Sequence, residues 1–462
     1  MTNFDLIVVG SGPGGYVAAI RAAQLGFSTA LVEKADMGGV CLNWGCIPTK
    51  ALLRGAEVAH TLSEASHFGF NLGNIEFDLG KLVDHSRSVA GKLSQGIDYL
   101  MKKNNITVFK GNASVVDKGV LQVELSSNSV TLTAPHIILA TGARARALPG
   151  LEVDGQTVWG VREAMTPKML PKRLLIIGAG AIGVEFASLY NDLGSEVTLV
   201  EAVDRIVPAE DAEVSAHLQA QFAKRKISVL TNTTLQSIDR TGTEAIATLQ
   251  QGEETLTLAV DNIIVAVGIT GNIENIGLEN VGAQTERGFI TTDAFSRTNV
   301  VGLYAIGDVA GPPWLAHKAS HEGILCVEKI AGIDVQPLKA ERIPGCTYCR
   351  PQIASVGLSE QKAKQQGLAV SVGKFNLSAN GKALAIGDSD GFIKTVFDKN
   401  TGELWGAHMI GPEVTEQIQG FGIAQQLEAT AHELAHTVFA HPSVSEAMHE
   451  SVLSSLGIAL HQ

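Results

Sequence analysis

The same strand-turn-helix-strand pattern is written twice in this chain, and that repetition restricts the fold more than any other feature. An apolar run, Asp5-Leu6-Ile7-Val8-Val9, leads into Gly10-Ser11-Gly12-Pro13-Gly14-Gly15 and, after a helix-compatible stretch, into Thr29-Ala30-Leu31-Val32-Glu33. The pattern returns as Leu174-Leu175-Ile176-Ile177, then Gly178-x-Gly180-x-x-Gly183, then Val197-Thr198-Leu199-Val200-Glu201. In both copies 23 positions separate the first glycine from the closing acid. Each copy predicts a β-α-β unit whose glycines let backbone approach a pyrophosphate at a helix N-terminus and whose carboxylate suits a ribose hydroxyl pair. A later strand ending in glycine follows in each: Ile137-Ile138-Leu139-Ala140-Thr141-Gly142, and Ile263-Ile264-Val265-Ala266-Val267-Gly268. The expected fold class is therefore α/β, with two Rossmann-like nucleotide domains.

Two such sites imply two different dinucleotides, because electrons must pass between a fixed carrier and a diffusible one. FAD and a nicotinamide dinucleotide are the natural pair. Immediately after Glu33 the chain carries Cys41-Leu42-Asn43-Trp44-Gly45-Cys46, which assigns the first unit to FAD and reads as a redox-active dithiol beside it. Positions i and i+5 of a regular helix lie about 140° apart around the axis, too far for easy disulfide closure. An irregular turn is expected, for which Asn43 and Gly45 are suited, with Pro48 in the first turn of a following helix. A thiol at that helix's positive end would have a depressed pKa. Cys46 and Lys50 stand at i and i+4, one face of such a helix, and a cation there favours the thiolate. In the second unit, Glu201 argues for NAD, since a carboxylate repels a 2′-phosphate; Arg205 is the nearby counter-signal.

A length of 462 residues predicts about three domains, and 45% hydrophobic content is ample for large cores. Beyond about residue 338 the glycine fingerprints stop; alternating runs such as Gly391-Phe392-Ile393-Lys394-Thr395-Val396-Phe397 appear, followed by a long helical pattern from about Thr415. This predicts a third domain without a nucleotide site. The net charge of −12 argues against a nucleic-acid partner, and an acidic surface could instead dock on a basic protein. Five cysteines form an odd, sparse set, pointing to a reducing compartment. With no signal or transit pattern at Met1-Thr2-Asn3, a cytoplasmic location is expected. The apolar stretch from Leu174 to Tyr190 is interrupted by Gly178, Gly180, Gly183 and Glu185, which disfavours a membrane span.

Over essentially its whole length the chain resembles the pyridine nucleotide-disulfide oxidoreductases, and within them the branch that oxidises dihydrolipoamide. The resemblance rests on Gly38-Gly39-Val40-Cys41-Leu42-Asn43-Trp44-Gly45-Cys46-Ile47-Pro48-Thr49-Lys50, the paired fingerprints, Tyr304-Ala305-Ile306-Gly307-Asp308 and His441-Pro442-Ser443-Val444-Ser445-Glu446. It implies an FAD domain at 1–143, an NAD domain at 144–267, a central domain at 268–337 completing the FAD site, and an α+β dimerisation domain at 338–462. By the same resemblance, Gly10, Gly12, Gly14, Gly15, Glu33, Lys50, Ala113, Thr141, Gly142, Ala143, Asp308 and Ala316 would contact FAD, with Asp308 on the ribityl chain. Gly178, Gly180, Gly183, Glu201, Ala266 and Gly268 would contact NAD.

Cys41 would be the outer, exchanging thiol and Cys46 the inner one against the flavin. Lys50 would pair with Glu185. His441 would be the acid/base acting on the dithiol of the partner subunit in a head-to-tail homodimer, with Glu446 orienting it and a cis bond before Pro442. An imidazole titrates nearest physiological pH and the thiolate is the attacking species, so such a base is what the chemistry needs. The implied partners are the lipoyl-bearing acyltransferase of 2-oxo acid dehydrogenase complexes or the H protein of glycine cleavage. The closest alternative is an NADPH-dependent disulfide reductase of glutathione-reductase type. Against it stand Glu201 and Ala181, where such enzymes tend to carry a tyrosine.

Two motifs invite other readings. His432-Glu433-Leu434-Ala435-His436 matches a zinc-protease pattern, but no third ligand is evident. Cys346-Thr347-Tyr348-Cys349 has C-x2-C spacing, but its neighbours read as a strand, where i and i+3 face opposite sides; structural cysteines are expected, with Cys326 in the core. Phe439 stands where relatives often carry another histidine.

Overall fold

The computed structural model describes residues 2–240 and 244–461. The chain forms two compact units, each assembled from separated segments: one from Met1–Leu52, Phe77–Ala147 and Gly268–Leu338, the other from Leu53–Glu76, Leu148–Val267 and Lys339–Gln462.

In the first unit, β1 (Leu6–Val9) and β2 (Thr29–Glu33) are buried at every position, as parallel strands covered on both faces must be. Between them runs α1 (Pro13–Gln24), with Pro13 at its start, where a missing N–H costs nothing. Two helices, α2 (Gly39–Trp44) and α3 (Cys46–Ser63), follow β2. Next comes α4 (Leu79–Lys103), capped by the Asp78 side chain on the Lys81 N–H, and then β3 (Thr107–Asp117) and β4 (His136–Leu139). The parallel order is β3, β2, β1, β4 and then the strand Leu303–Ala305, which arrives from far along the chain to pair with β4. An antiparallel extension of β3, Val120–Leu125 and Ser129–Thr133 completes the sheet with the short strand Thr2–Asn3. The helix Ala316–Ile330 lies against α1, closely enough that a Cβ on Gly14 would come within 2.9 Å of the Ala319 carbonyl.

The second unit repeats the design. Its sheet runs Ser228–Leu230, Glu196–Val200, Arg173–Ile177, Asn262–Val265, Val158–Trp159, all parallel and in the matching order. The helix Ala181–Asp192 occupies the place of α1, and the antiparallel sheet Thr233–Asp239, Ala245–Gln251, Glu254–Val260 that of the extension. The C-terminal segment adds a five-stranded sheet, with Gly345–Thr347, Gln352–Gly357, Leu404–Gly411, Phe392–Asp398 and Val370–Asn376 paired antiparallel throughout. Instead of one long helix after Thr415 there are three: Val414–Gln426, Ala431–His436 and Glu446–Ser455. The last presses onto the strand Val370–Asn376 at Gly373, where any Cβ would sit 1.8 Å from the Ser451 carbonyl. Phe375, Phe397, Phe421, Met448 and Val452 share one core beneath it. No helix among the described residues is long and apolar enough to cross a membrane.

Candidate active site

The two glycine loops are built alike. Gly10 and Gly178 have φ of +103° and +99°, and a Cβ on either would stand 2.2 Å or 2.4 Å from the carbonyl of Ala140 or Ala266. The last glycines, Gly15 and Gly183, lie against the carbonyls of Gly10 and Gly178, which a Cβ would approach to 1.9 Å. Gly12 and Gly180 have no atom within 4 Å of where a Cβ would be; these are the positions left bare at a helix N-terminus, where a pyrophosphate can approach backbone. Each acid is aimed at its loop by N–H donors. Glu33 accepts from the Ser11 N–H and hydroxyl at 2.8 and 2.6 Å and from the Ala35 N–H at 2.8 Å. Glu201 accepts from the Ala179 N–H at 2.8 Å and the Val203 N–H at 3.1 Å. Arg205 is engaged elsewhere, on Gln361 and the Pro208 carbonyl. Both loops thus fit a dinucleotide. Gly14 serves the approach of two helices, and its bare face is turned to Ala319.

Beside the first loop, Thr141, Gly142 and Ala143 are strapped to the returning segment. The Thr141 hydroxyl donates to the Asn272 carbonyl at 2.9 Å, the Asn272 amide donates back to the Thr141 carbonyl at 2.8 Å, and the Asn272 N–H donates to Gly142 at 2.9 Å. Ala143 then pairs with Gly271 in a short ladder. Ala113 lies half-buried in β3, paired with Val123, and Ala316 is the first residue of its helix. The Gly268 carbonyl accepts from the Arg146 N–H at 2.9 Å.

Asp308 sits on the single turn Gly307–Ala310. Lys318, buried one turn into the helix Ala316–Ile330, donates to the carbonyls of Gly307 (3.3 Å) and Gly311 (2.8 Å) and pairs with Glu322 at 3.0 Å. Glu322 accepts the Gly307 N–H at 2.7 Å. Burial pushes the Asp308 carboxyl up and Lys318 opposes it; Glu322 is likewise pushed up by burial, against Lys318 and the Gly307 N–H. Lys318, Glu322 and Asn272 were not anticipated as site residues. The i, i+4 Lys-Glu pair in Ala316-His317-Lys318-Ala319-Ser320-His321-Glu322 is the signal that could have found two of them.

The dithiol straddles the junction of α2 and α3. Gly45, at φ −153° and ψ −117°, breaks the helix, and the break brings the two sulfurs to 2.7 Å. The irregularity lies at Gly45 alone. Asn43 is helical and buried, its amide donating to the carbonyls of Met37 and Gly39 at 2.9 Å each. Cys46 is the exposed first residue of α3 and Cys41 is half-buried. The Cys41 thiol is pushed up, first by its hydrogen bond to Cys46 and then by burial, while Lys50, one turn along α3, pulls it down. The depression expected of the thiol at the start of α3 does not extend to Cys41, which lies on α2.

In the second unit His441 is 80% exposed, and its Nδ1 lies 2.9 Å from Glu446 Oε1. Glu446 Oε2 accepts the Ser443 N–H at 2.8 Å, and the His441–Pro442 bond is cis. Against the upward push of burial, the Ser443 N–H and the His441 ring hold the Glu446 carboxyl below its ordinary value. With Nδ1–H directed to the carboxylate, Nε2 carries the lone pair and can take a proton. Glu446 opens a helix fixed by buried Ala447, Met448 and Val452. Burying the Met448 and Val452 side chains is worth about 1.5–3 kcal/mol each, which anchors the helix that Glu446 opens. Phe439 stacks on His449 at 5.3 Å. Glu185 is buried on the helix Ala181–Asp192 and accepts the Tyr348 N–H at 2.9 Å.

The other motifs are structural. Glu433 closes a capping box with Thr430, and the His432 and His436 rings stack at 4.2 Å. Among the described residues no group of three or more candidate ligands could hold a metal. Cys349 lies beyond the strand Gly345–Thr347, buried, its thiol donating to the Pro351 carbonyl at 3.2 Å; Cys326 is buried in its helix. Burial pushes both thiols up.

A dinucleotide fold in duplicate with a dithiol at the α2–α3 junction of its first unit defines a flavin-linked disulfide oxidoreductase. The chain belongs to the pyridine nucleotide-disulphide oxidoreductases: the family's model matches residues 4–323, and the model of its dimerisation domain matches residues 343–452. Its cofactors are FAD and NAD. The chain is 50% identical to the dihydrolipoyl dehydrogenase of Rhizobium etli over 477 residues and 52% identical to that of Zymomonas mobilis over 463 residues, each comparison covering 99% of both chains. Among solved structures it is similar to LpdA of Mycobacterium tuberculosis, with a TM-score of 0.92 at 28% identity, covering 98% of this chain and 99% of that one.

Proposed function

We propose that this enzyme oxidises protein-bound dihydrolipoamide to lipoamide with reduction of NAD, through Cys41 and Cys46. The observation that carries this reading is the 2.7 Å sulfur pair at the start of α3 with Lys50 one turn beyond. The loops at Gly10–Gly15 and Gly178–Gly183 would hold FAD and NAD. Thr141 to Ala143, Ala113, Asp308 and Ala316 would stand on the flavin side, and Ala266, Gly268 and Glu201 on the nicotinamide side. When bound, FAD supplies a two-electron carrier between the dithiol and the nicotinamide.

The chain's own residues do the rest. His441 Nε2 takes a proton from a substrate thiol, and Glu446 stabilises the imidazolium. The resulting thiolate attacks Cys41 Sγ of the disulfide and displaces Cys46 as thiolate. The second substrate thiol then attacks the mixed disulfide, releasing lipoamide and returning Cys41 to the thiol. Lys50, one turn along α3 from Cys46, favours the anionic sulfur electrostatically.

His441 would serve the dithiol of the partner subunit in a head-to-tail homodimer, a reading supported by the dimerisation domain. Lipoyl-bearing acyltransferases of 2-oxo acid dehydrogenase complexes, or the H protein of glycine cleavage, are the partners this chemistry serves, in the cytoplasm. The decisive experiment follows NAD and NADP reduction by dihydrolipoamide, alongside Cys46→Ser. NAD-specific turnover, abolished in the variant, is expected; undiminished turnover by Cys46→Ser sinks the mechanism, and NADP preference favours the glutathione-reductase-type alternative.

A further inference from the structure

We propose that Arg87, with its neighbour Ser86, is a positioning clamp that sets the reduction potential of the Cys41–Cys46 pair; the proposal rests on the redox reading of that pair. Both residues stand on α4, outside every motif that identifies the family. Arg87 Nη1 donates to the carbonyl of Asn43, and its guanidinium lies 4.0 Å above the centre of the Trp44 ring. Asn43 and Trp44 are two of the four residues between the cysteines. Ser86, completely buried, donates its hydroxyl to the Pro48 carbonyl at 3.0 Å, two residues beyond Cys46. One turn of α4 therefore grips the chain on both sides of Cys46.

The grip matters because the helix breaks there. Gly45 leaves the α2–α3 junction without continuous helical hydrogen bonding, and glycine is the residue least restrained by its own sterics. A planar guanidinium that stacks and donates at once is suited to fixing a bare peptide. Holding the peptides on either side of Gly45 holds the sulfurs in reach of one another, which favours the closed disulfide over the open dithiol.

The reaction tested is the two-electron couple: NADH supplies a hydride and solvent a proton, the Sγ–Sγ bond breaks, and two thiols form. FAD-loaded wild-type protein and the variants Arg87→Ala, Arg87→Lys and Trp44→Leu are equilibrated anaerobically with NADH/NAD mixtures, and free thiols are counted at each ratio. For Arg87→Ala the clamp predicts half-reduction at about tenfold lower NADH/NAD, equivalent to about 30 mV for two electrons. Arg87→Lys keeps the charge without the flat stack, so it should shift like alanine. Trp44→Leu removes the stack while leaving Arg87 its hydrogen bond to the Asn43 carbonyl, and should move the same way, carrying the test should Arg87→Ala lose flavin.

Variants that titrate like the wild type overturn the clamp. A shift towards harder reduction in Arg87→Ala, with Arg87→Lys unmoved, also overturns it, since Arg87 would then act only as a charge stabilising thiolate. A wild-type protein whose thiols take up no electron pair brings down the redox reading and the clamp together.

Discussion

Removing the buried ammonium of Lys318 is the substitution whose consequence can be worked most fully from the geometry. Lys318→Met leaves Glu322 facing a hydrophobic stem and takes the donor from the carbonyls of Gly307 and Gly311, which it holds at 3.3 and 2.8 Å. The lysine side chain is 5% exposed and that of Glu322 18%, so little water can compensate. Deleting one partner of a buried pair costs about 3–5 kcal/mol. At no more than about 2–4 °C per kcal/mol for a large chain, the apparent Tm should fall by roughly 6–20 °C.

Asp308 and Glu322 already sit above their ordinary values, and losing the opposing cation pushes them further. A carboxyl whose folded pKa is raised contributes stability that is present below its unfolded pKa and lost as pH rises through the folded one. The deficit of Lys318→Met should therefore shrink as pH falls towards the ordinary values of 3.8 and 4.5 and grow towards neutrality. The assay is thermal unfolding of FAD-loaded protein at fixed scan rate between pH 4.5 and 8. The double variant Lys318→Met/Glu322→Gln removes the stranded charge while keeping an acceptor for the Gly307 N–H, and should recover at least about 1–2 kcal/mol. A single variant within about 1 kcal/mol of the wild type across this range would refute the reasoning.

His441→Gln should lower kcat by about 10²–10⁴-fold, the usual worth of a general acid–base, and Glu446→Gln by about 10–150-fold, the worth of a hydrogen bond to a charged group; stopped-flow reduction of the disulfide by dihydrolipoamide would read both, and an unchanged His441→Gln would remove His441 from the mechanism. In the second unit, buried Lys394 pairs with Asp211 at 3.3 Å and with Glu213 and Glu360 at 2.7 Å, and against the downward push of burial these partners raise its pKa to about 12. Its contribution to stability should be complete below its ordinary value of 10.5 and lost as pH rises through about 12. Lys394→Met should abolish that alkaline slope in denaturant titrations; a slope that persists assigns it to other groups.

The two nucleotide units were legible in the sequence because their constraint is local: a glycine that alone tolerates φ near +100° and an acid a fixed distance on describe one β-α-β turn of chain. Cys41, Cys46 and Lys50 were legible for the same reason, since their spacing is within one helix junction. Sequence also marked a C-terminal segment of different character, but not that its helical pattern would break into three. Tertiary structure alone decided that Leu303–Ala305 crosses to the edge of the first sheet, and that Lys318 and Glu322 staple the Asp308 turn. It alone placed Ser86 and Arg87 over the peptides around Cys46, some forty positions away in the chain. Local motifs survive in sequence because backbone sterics fix their residue types. Contacts between distant segments are chosen by burial and charge compensation, which many pairs of residues can satisfy and which no spacing in the sequence records.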